Sequence, residues 1–104
     1  MKQANIISRV KEEIEKLEPG VEVYLFGSHA RGDFRSDSDW DLLIVSPRDE
    51  ITLDYELQLR EPIFTIEIQS GEVISTLIYS RKEWLLKKDH SQFFKNILKE
   101  GVRI

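Results

Sequence analysis

The chain is 104 residues long, 40% hydrophobic and 10% aromatic, which suits a single domain over residues 1–104, because one hydrophobic core usually organises about 100 to 150 residues. Fifteen Lys and Arg against nineteen Asp and Glu leave a formal charge of −4, which disfavours sequence-independent nucleic-acid binding. The lack of cysteine excludes a disulfide framework, a thiol nucleophile and any zinc site with sulfur ligands. No apolar run approaches the ~20 residues of a membrane helix, so a cytoplasmic chain without membrane contact is expected.

Ile6, Ile7, Val10, Ile14 and Leu17 recur at three- to four-residue spacing, with Lys11, Glu12, Glu13, Glu15 and Lys16 on the other face; this predicts an amphipathic helix ended by Pro19-Gly20. Val21 to Phe26 is rich in β-branched and aromatic residues and reads as a strand. His29 to Ser38 is polar and leaves room for one helical turn and a loop before a second strand at Asp39 to Val45. Asp49 to Leu59 is a possible helix without a clean period. Pro62 then opens Ile63 to Gln69, whose alternation predicts a strand with Thr65, Glu67 and Gln69 on its more polar face. Ser70-Gly71 marks a turn into Val73 to Tyr79. Ser80-Arg81-Lys82-Glu83 matches a capping box, and Ser91 is a second cap before an apolar stripe of Phe93, Phe94, Ile97 and Leu98. The predicted order is helix, two strands, possible helix, two strands, helices.

The chemistry concentrates between Gly27 and Val45. Gly27 and Gly32 have the gap of a P-loop, but Asp33 and Phe34 replace the Lys and the Ser or Thr that it needs. Asp37, Asp39 and Asp41 match the start of a calcium loop, yet Leu42 replaces its turn glycine and Arg48 its final glutamate. Another reading fits better. Residues two apart on a strand share a face, so Asp39 and Asp41 project into one space, and two carboxylates so placed need a counter-ion such as a pair of Mg²⁺ ions. Trp40, Leu42 and Ile44 line the opposite face. The plainer alternative is a pair of loop aspartates leading into an ordinary strand. Gly27-Ser28 after the first strand lets phosphate oxygens approach the backbone, where a plain turn is the alternative. Arg31 adds a charge-assisted phosphate contact, unless it pairs with a neighbouring aspartate.

Gly27-Ser28, Ala30-Arg31-Gly32 and Ser38-Asp39-Trp40-Asp41-Leu42, with twelve positions from Gly27 to Asp39, together resemble the nucleotidyltransferase superfamily of DNA polymerase β. The small size and the Gly-Ser-x-Ala-Arg-Gly wording resemble its minimal nucleotidyltransferase branch. The resemblance implies an α+β fold, a mixed β-sheet flanked by helices, in which Gly27 and Ser28 hold the nucleotide's β and γ phosphates and Arg31 contacts them. It implies that Asp39 and Asp41 bind two Mg²⁺ ions, with a third carboxylate on a later strand. Glu67 is the best match for that carboxylate, although many members carry aspartate; otherwise Glu67 is an exposed residue on a half-buried strand.

The implied reaction is attack of a hydroxyl on the α-phosphate of a nucleoside triphosphate, ATP by resemblance, with pyrophosphate leaving. Minimal members are often antitoxin partners of all-helical HEPN-domain proteins, which implies AMP transfer to a tyrosine of such a partner. Two alternatives stay open: an antitoxin that neutralises its partner by binding alone, and a small-molecule nucleotidyltransferase of the antibiotic-modifying kind.

Overall fold

A computed structural model describes residues 3–104, with side chains from Ile6 onward; Met1 and Lys2 lie outside the described residues. The chain begins with helix α1 (Gln3–Leu17), strand β1 (Glu22–Phe26), the one-turn helix α2 (Gly27–Arg31) and strand β2 (Trp40–Ser46). Helix α3 (Leu53–Ser70), strand β3 (Ile74–Ser80), helices α4 (Arg81–Lys87) and α5 (Gln92–Glu100) and the short strand β4 (Val102–Arg103) follow. The strands form one mixed sheet in the order β3-β2-β1-β4. In it β2 runs parallel to β3, and β1 runs antiparallel to both β2 and β4. The expected mixed sheet flanked by helices is therefore present.

Side chains alternate across β2, and that alternation divides the core. Trp40, Leu42 and Ile44 pack with Ile6, Val10 and Ile14 of α1 and with Tyr55, Leu59, Ile63 and Ile66 of α3. Leu43 and Val45 pack on the other face with Phe26, Trp84 of α4 and Ile97 of α5. Asp41 belongs to this second face, because its neighbours in the sheet are Phe26 on β1 and Ser75 on β3. The two sequence-predicted caps are formed. Ser80 Oγ accepts from the Glu83 amide while Glu83 returns a bond to the Ser80 amide, and Ser91 Oγ accepts from the Phe94 amide.

The strand expected at Ile63 to Gln69 is instead the second half of α3. Tyr55, Leu59, Ile63 and Ile66 are the buried residues of this helix, and their spacing of four, four and three is the helical period. The alternation came from a second apolar row. Leu53, Leu57, Phe64 and Ile68 lie more than half exposed on the opposite side of the helix, so the apolar residues surround α3 and no single-face pattern survives. Pro62 sits inside the helix rather than at its boundary.

An interior proline removes one helical hydrogen bond and crowds the preceding turn. Pro62→Ala is expected to stabilise the fold by about 1–3 kcal/mol, read as a higher midpoint in urea denaturation. A lower midpoint would mean that the ring's contacts outweigh its backbone cost.

Candidate active site

The site is built where β1 ends and β2 begins. Gly27 opens α2 with φ near +74°, a left-handed conformation that glycine adopts without penalty. It has a second constraint, because a Cβ placed there would overlap the Asp41 carboxylate and come within 3.0 Å of its Cγ. Backbone and carboxylate are thus packed directly on each other. Gly32 ends α2, again left-handed at φ +84°, and its amide donates to the Ser28 carbonyl.

From Gly32 the chain loops back to β2, and His29 holds this loop in place. Its ring stacks on Trp40 at 3.6 Å and on Phe34 at 4.4 Å between centroids, and its Nε2 lies 3.2 Å from the Ser38 carbonyl oxygen. Ser38 in turn accepts from the Arg35 amide through its hydroxyl at 2.8 Å. The loop therefore delivers Asp39 at a fixed place next to the first residue of β2. Nothing in the sequence marked His29 for this role.

Asp39 is exposed and Asp41 is half-buried. Burial, and then the charge of Asp39, push the Asp41 carboxyl above its ordinary range, while His29 and Arg31 pull the other way. Asp39 is thus near enough to act on the charge of Asp41, but it precedes β2 rather than lying on it as expected, and only Asp41 is among the residues that line the adjoining cleft. Arg31 lies beside them but is already paired. Its Nη1 donates to Glu100 at 2.9 Å and its Nε to Asp33 at 3.3 Å. An incoming phosphate would compete with these carboxylates for the guanidinium.

Asp41, Gly27, Ser28 and Arg31 line one cleft of about 450 Å³, closed on its other side by Phe93, Asn96 and Glu100 of α5 and floored by Ser75 and Leu77 of β3. That volume is in the range of small-ligand sites, about 300 to 1,000 Å³. A groove of about 540 Å³ between α1 and α3 includes neither aspartate.

Glu67 is not brought to this cleft. It lies in the last turns of α3, which covers the Trp40 face of the sheet, and its Oε2 accepts from the Ile74 amide at 3.0 Å. Its carboxylate closes the α3–β3 connection, so the expectation of a third metal carboxylate on a strand is corrected by the helix that carries it. The strand position level with Asp41 is Ser75.

Among the described residues no three or more His, Cys, Asp or Glu gather as a metal cage. Asp39 and Asp41, beside a backbone cradle that admits no Cβ, fit a divalent cation that takes its remaining oxygens from phosphate, as Mg²⁺ commonly does. Among the described residues no third carboxylate gathers with them to hold a second ion; Glu100, which also lines the cleft, is paired with Arg31.

The residues that sequence reasoning missed reach the cleft only through tertiary contact. Ser75 arrives by sheet register, and Phe93, Asn96 and Glu100 by the packing of α5. The apolar stripe on α5 was visible, but it did not separate buried Ile97 from exposed Phe93.

Residues 7–103 match the family model described as nucleotidyltransferase domain. Over 79 residues the chain is 37% identical to a Methanocaldococcus jannaschii protein bearing the name "Putative protein adenylyltransferase", covering 76% of this chain and 72% of that one. Its fold is similar to a Sulfolobus solfataricus structure titled as a "putative nucleotidyltransferase", with TM-score 0.59 at 22% identity over 95% of this chain and 76% of that one. A structure titled "toxin-antitoxin with AMP-PNP" has a chain similar in fold at TM-score 0.62 and 15% identity, over 98% and 72% of the two chains. The match along nearly the whole length makes this chain a minimal member of the nucleotidyltransferase domain family.

Proposed function

We propose that this protein binds a nucleoside triphosphate with Mg²⁺, ATP by preference, and transfers AMP to a hydroxyl of a partner protein, a tyrosine of a HEPN-type toxin that it thereby neutralises. The observation that carries the reading is the packing of the Asp41 carboxylate on Gly27 in the cleft that Arg31 also lines. An acid, a backbone cradle and a guanidinium side by side support a triphosphate as the ligand. The acceptor oxygen bonds to the α-phosphorus, the bond to the bridging oxygen of the β-phosphate breaks, and pyrophosphate leaves with Arg31 and the Gly27-Ser28 backbone beside it. The hydroxyl proton passes to the Asp39–Asp41 pair. A cation held by that pair would neutralise phosphate charge and ease ionisation of the hydroxyl.

A protein acceptor is supported by the open form of the cleft, which leaves a face that can admit a side chain of another molecule. Support also comes from the name of the Methanocaldococcus relative and from the toxin-antitoxin structure of similar fold. The exposed row of Leu53, Leu57, Phe64 and Ile68 offers apolar surface for a protein partner.

A second reading, neutralisation by binding without transfer, is favoured by Ser75, which offers a hydroxyl where a carboxylate would complete a two-ion site. One experiment separates the two. The chain is incubated with ATP, Mg²⁺ and a candidate helical partner, and the partner is weighed by mass spectrometry. An added AMP on a tyrosine supports transfer. A stable complex with an unmodified partner supports binding alone, and Ser75→Asp would then be expected to bring the modification back.

A further inference from the structure

The cleft is asymmetric in a way that the phosphate chemistry leaves unused. Its Arg31 end is occupied by charges, with Glu100 of α5 paired to the guanidinium. Its other end, seven residues back along α5, carries Phe93. That separation is about 10 Å along a helix axis, a distance suited to a nucleoside.

Phe93 does not behave as a core residue. The next position, Phe94, packs against Tyr79 and Trp84, and Ile97 one turn on is 3% exposed, whereas Phe93 is 54% exposed. Its ring is nevertheless held, nearly perpendicular to Phe26 at 6.2 Å and tilted against Phe94 at 5.4 Å. Phe26 immediately precedes Gly27, so the ring is fixed to the same backbone that forms the cradle. An aromatic braced by two others and still open to a cleft costs little ordering on binding and presents a stacking surface. Asn96, nearly one turn further on, also lines the cleft. Its Oδ1 accepts from Gln92 Nε2 at 2.9 Å, which leaves its Nδ2 hydrogens to donate to a ring nitrogen.

We infer that α5 forms the base subsite, with Phe93 as the platform on which a purine stacks and Asn96 as the donor to its edge. The inference rests on the nucleotide reading above and adds to it the residues that tell a nucleotide from a bare triphosphate. Stacking reads any π-face but rewards the larger one, so purines should be preferred to pyrimidines.

The test is calorimetric titration of the full chain with Mg²⁺ and, separately, ATP, GTP, CTP or inorganic tripolyphosphate. ATP and GTP should bind more tightly than CTP, and CTP at least as tightly as tripolyphosphate. Phe93→Ala should weaken ATP binding about tenfold to a hundredfold while leaving tripolyphosphate within about twofold, and Phe93→Trp should restore ATP binding. Asn96→Ala should narrow the gap between ATP and CTP. Equal binding of ATP and tripolyphosphate by the unmodified chain, or equal losses for both in Phe93→Ala, overturns the base subsite and leaves the phosphate reading standing. Binding of neither probe by the unmodified chain removes the nucleotide reading itself, and the subsite with it.

Discussion

Asp41→Asn is expected to make the protein more resistant to heat at pH 7 and to lower AMP transfer about a hundredfold or more, which is about 3 kcal/mol of transition-state stabilisation. Both effects come from the same carboxylate. Burial, followed by the nearby charge of Asp39, raises the Asp41 carboxyl above its ordinary range, so the folded chain keeps this proton to a higher pH than the unfolded chain does. Between the ordinary carboxylate range and that raised value the native state binds more protons. Its stability therefore falls as pH rises through the window, and the full penalty of the ionised form is carried at pH 7. Asparagine keeps the shape and removes the charge.

Thermal melts of the variant and the unmodified chain should accordingly differ most at neutral pH and converge as pH falls through the carboxylate range. Mg²⁺ with ATP should reverse the order, because ligand that binds only the folded state raises stability with its concentration, and the variant lacks one of the two carboxylates proposed to hold the cation. A variant less stable at neutral pH, with undiminished binding of Mg²⁺ and ATP, would dismiss the account. Asp39 is exposed, so Asp39→Asn should lose transfer in the same way with a smaller change in melting temperature.

Local signals made much of this fold readable. The spacing of Ile6, Val10 and Ile14 marks α1 because these residues bury one face only. Ser80 with Glu83 marks the start of α4 because the cap is made by residues three apart. Strand β2 was readable with its two faces but not with its start, since Asp39, expected on the strand, precedes it and only Asp41 is among the residues that line the cleft. Where an element is stabilised from several sides the signal is lost. Helix α3 buries Tyr55, Leu59, Ile63 and Ile66 while exposing Phe64 and Ile68, and its second half imitates alternation behind a proline that looks like a boundary.

Strand β4 has no signature at all, being two residues that pair with Tyr24 and Leu25. The candidate site divides in the same way. Gly27, Ser28, Arg31, Asp39 and Asp41 lie within fifteen residues and could be grouped by spacing. Glu67 was drawn into the group by the false strand, and Ser75, which holds the position level with Asp41, depends on a register that no local pattern encodes. His29 is near in sequence, yet its position between Trp40 and Phe34 requires the folded loop.

Gly27→Ala should be the most damaging small substitution in the site. Its backbone is left-handed at φ +74°, which costs an alanine about 1–2 kcal/mol. The added methyl would also overlap the Asp41 carboxylate, close to its Cγ and Cβ. One of the two must move, and the Asp41 carboxylate can do so only by leaving its contact with Gly27 for the open cleft that it lines. The total loss should reach about 2–4 kcal/mol, the range of overpacking added to backbone strain. Binding of Mg²⁺ and ATP should disappear with it, because the cradle that phosphate oxygens would approach is filled.

The two causes separate in a double-mutant cycle. In the Asp41→Ala background the carboxylate is gone, so Gly27→Ala should cost only the backbone part, about 1–2 kcal/mol. A positive coupling of about 1 kcal/mol or more in urea denaturation would establish the direct packing of cradle on carboxylate. Equal costs of Gly27→Ala in both backgrounds would mean that Gly27 matters for its φ alone, and the close approach of the Asp41 carboxylate to the cradle would then play no part in the site.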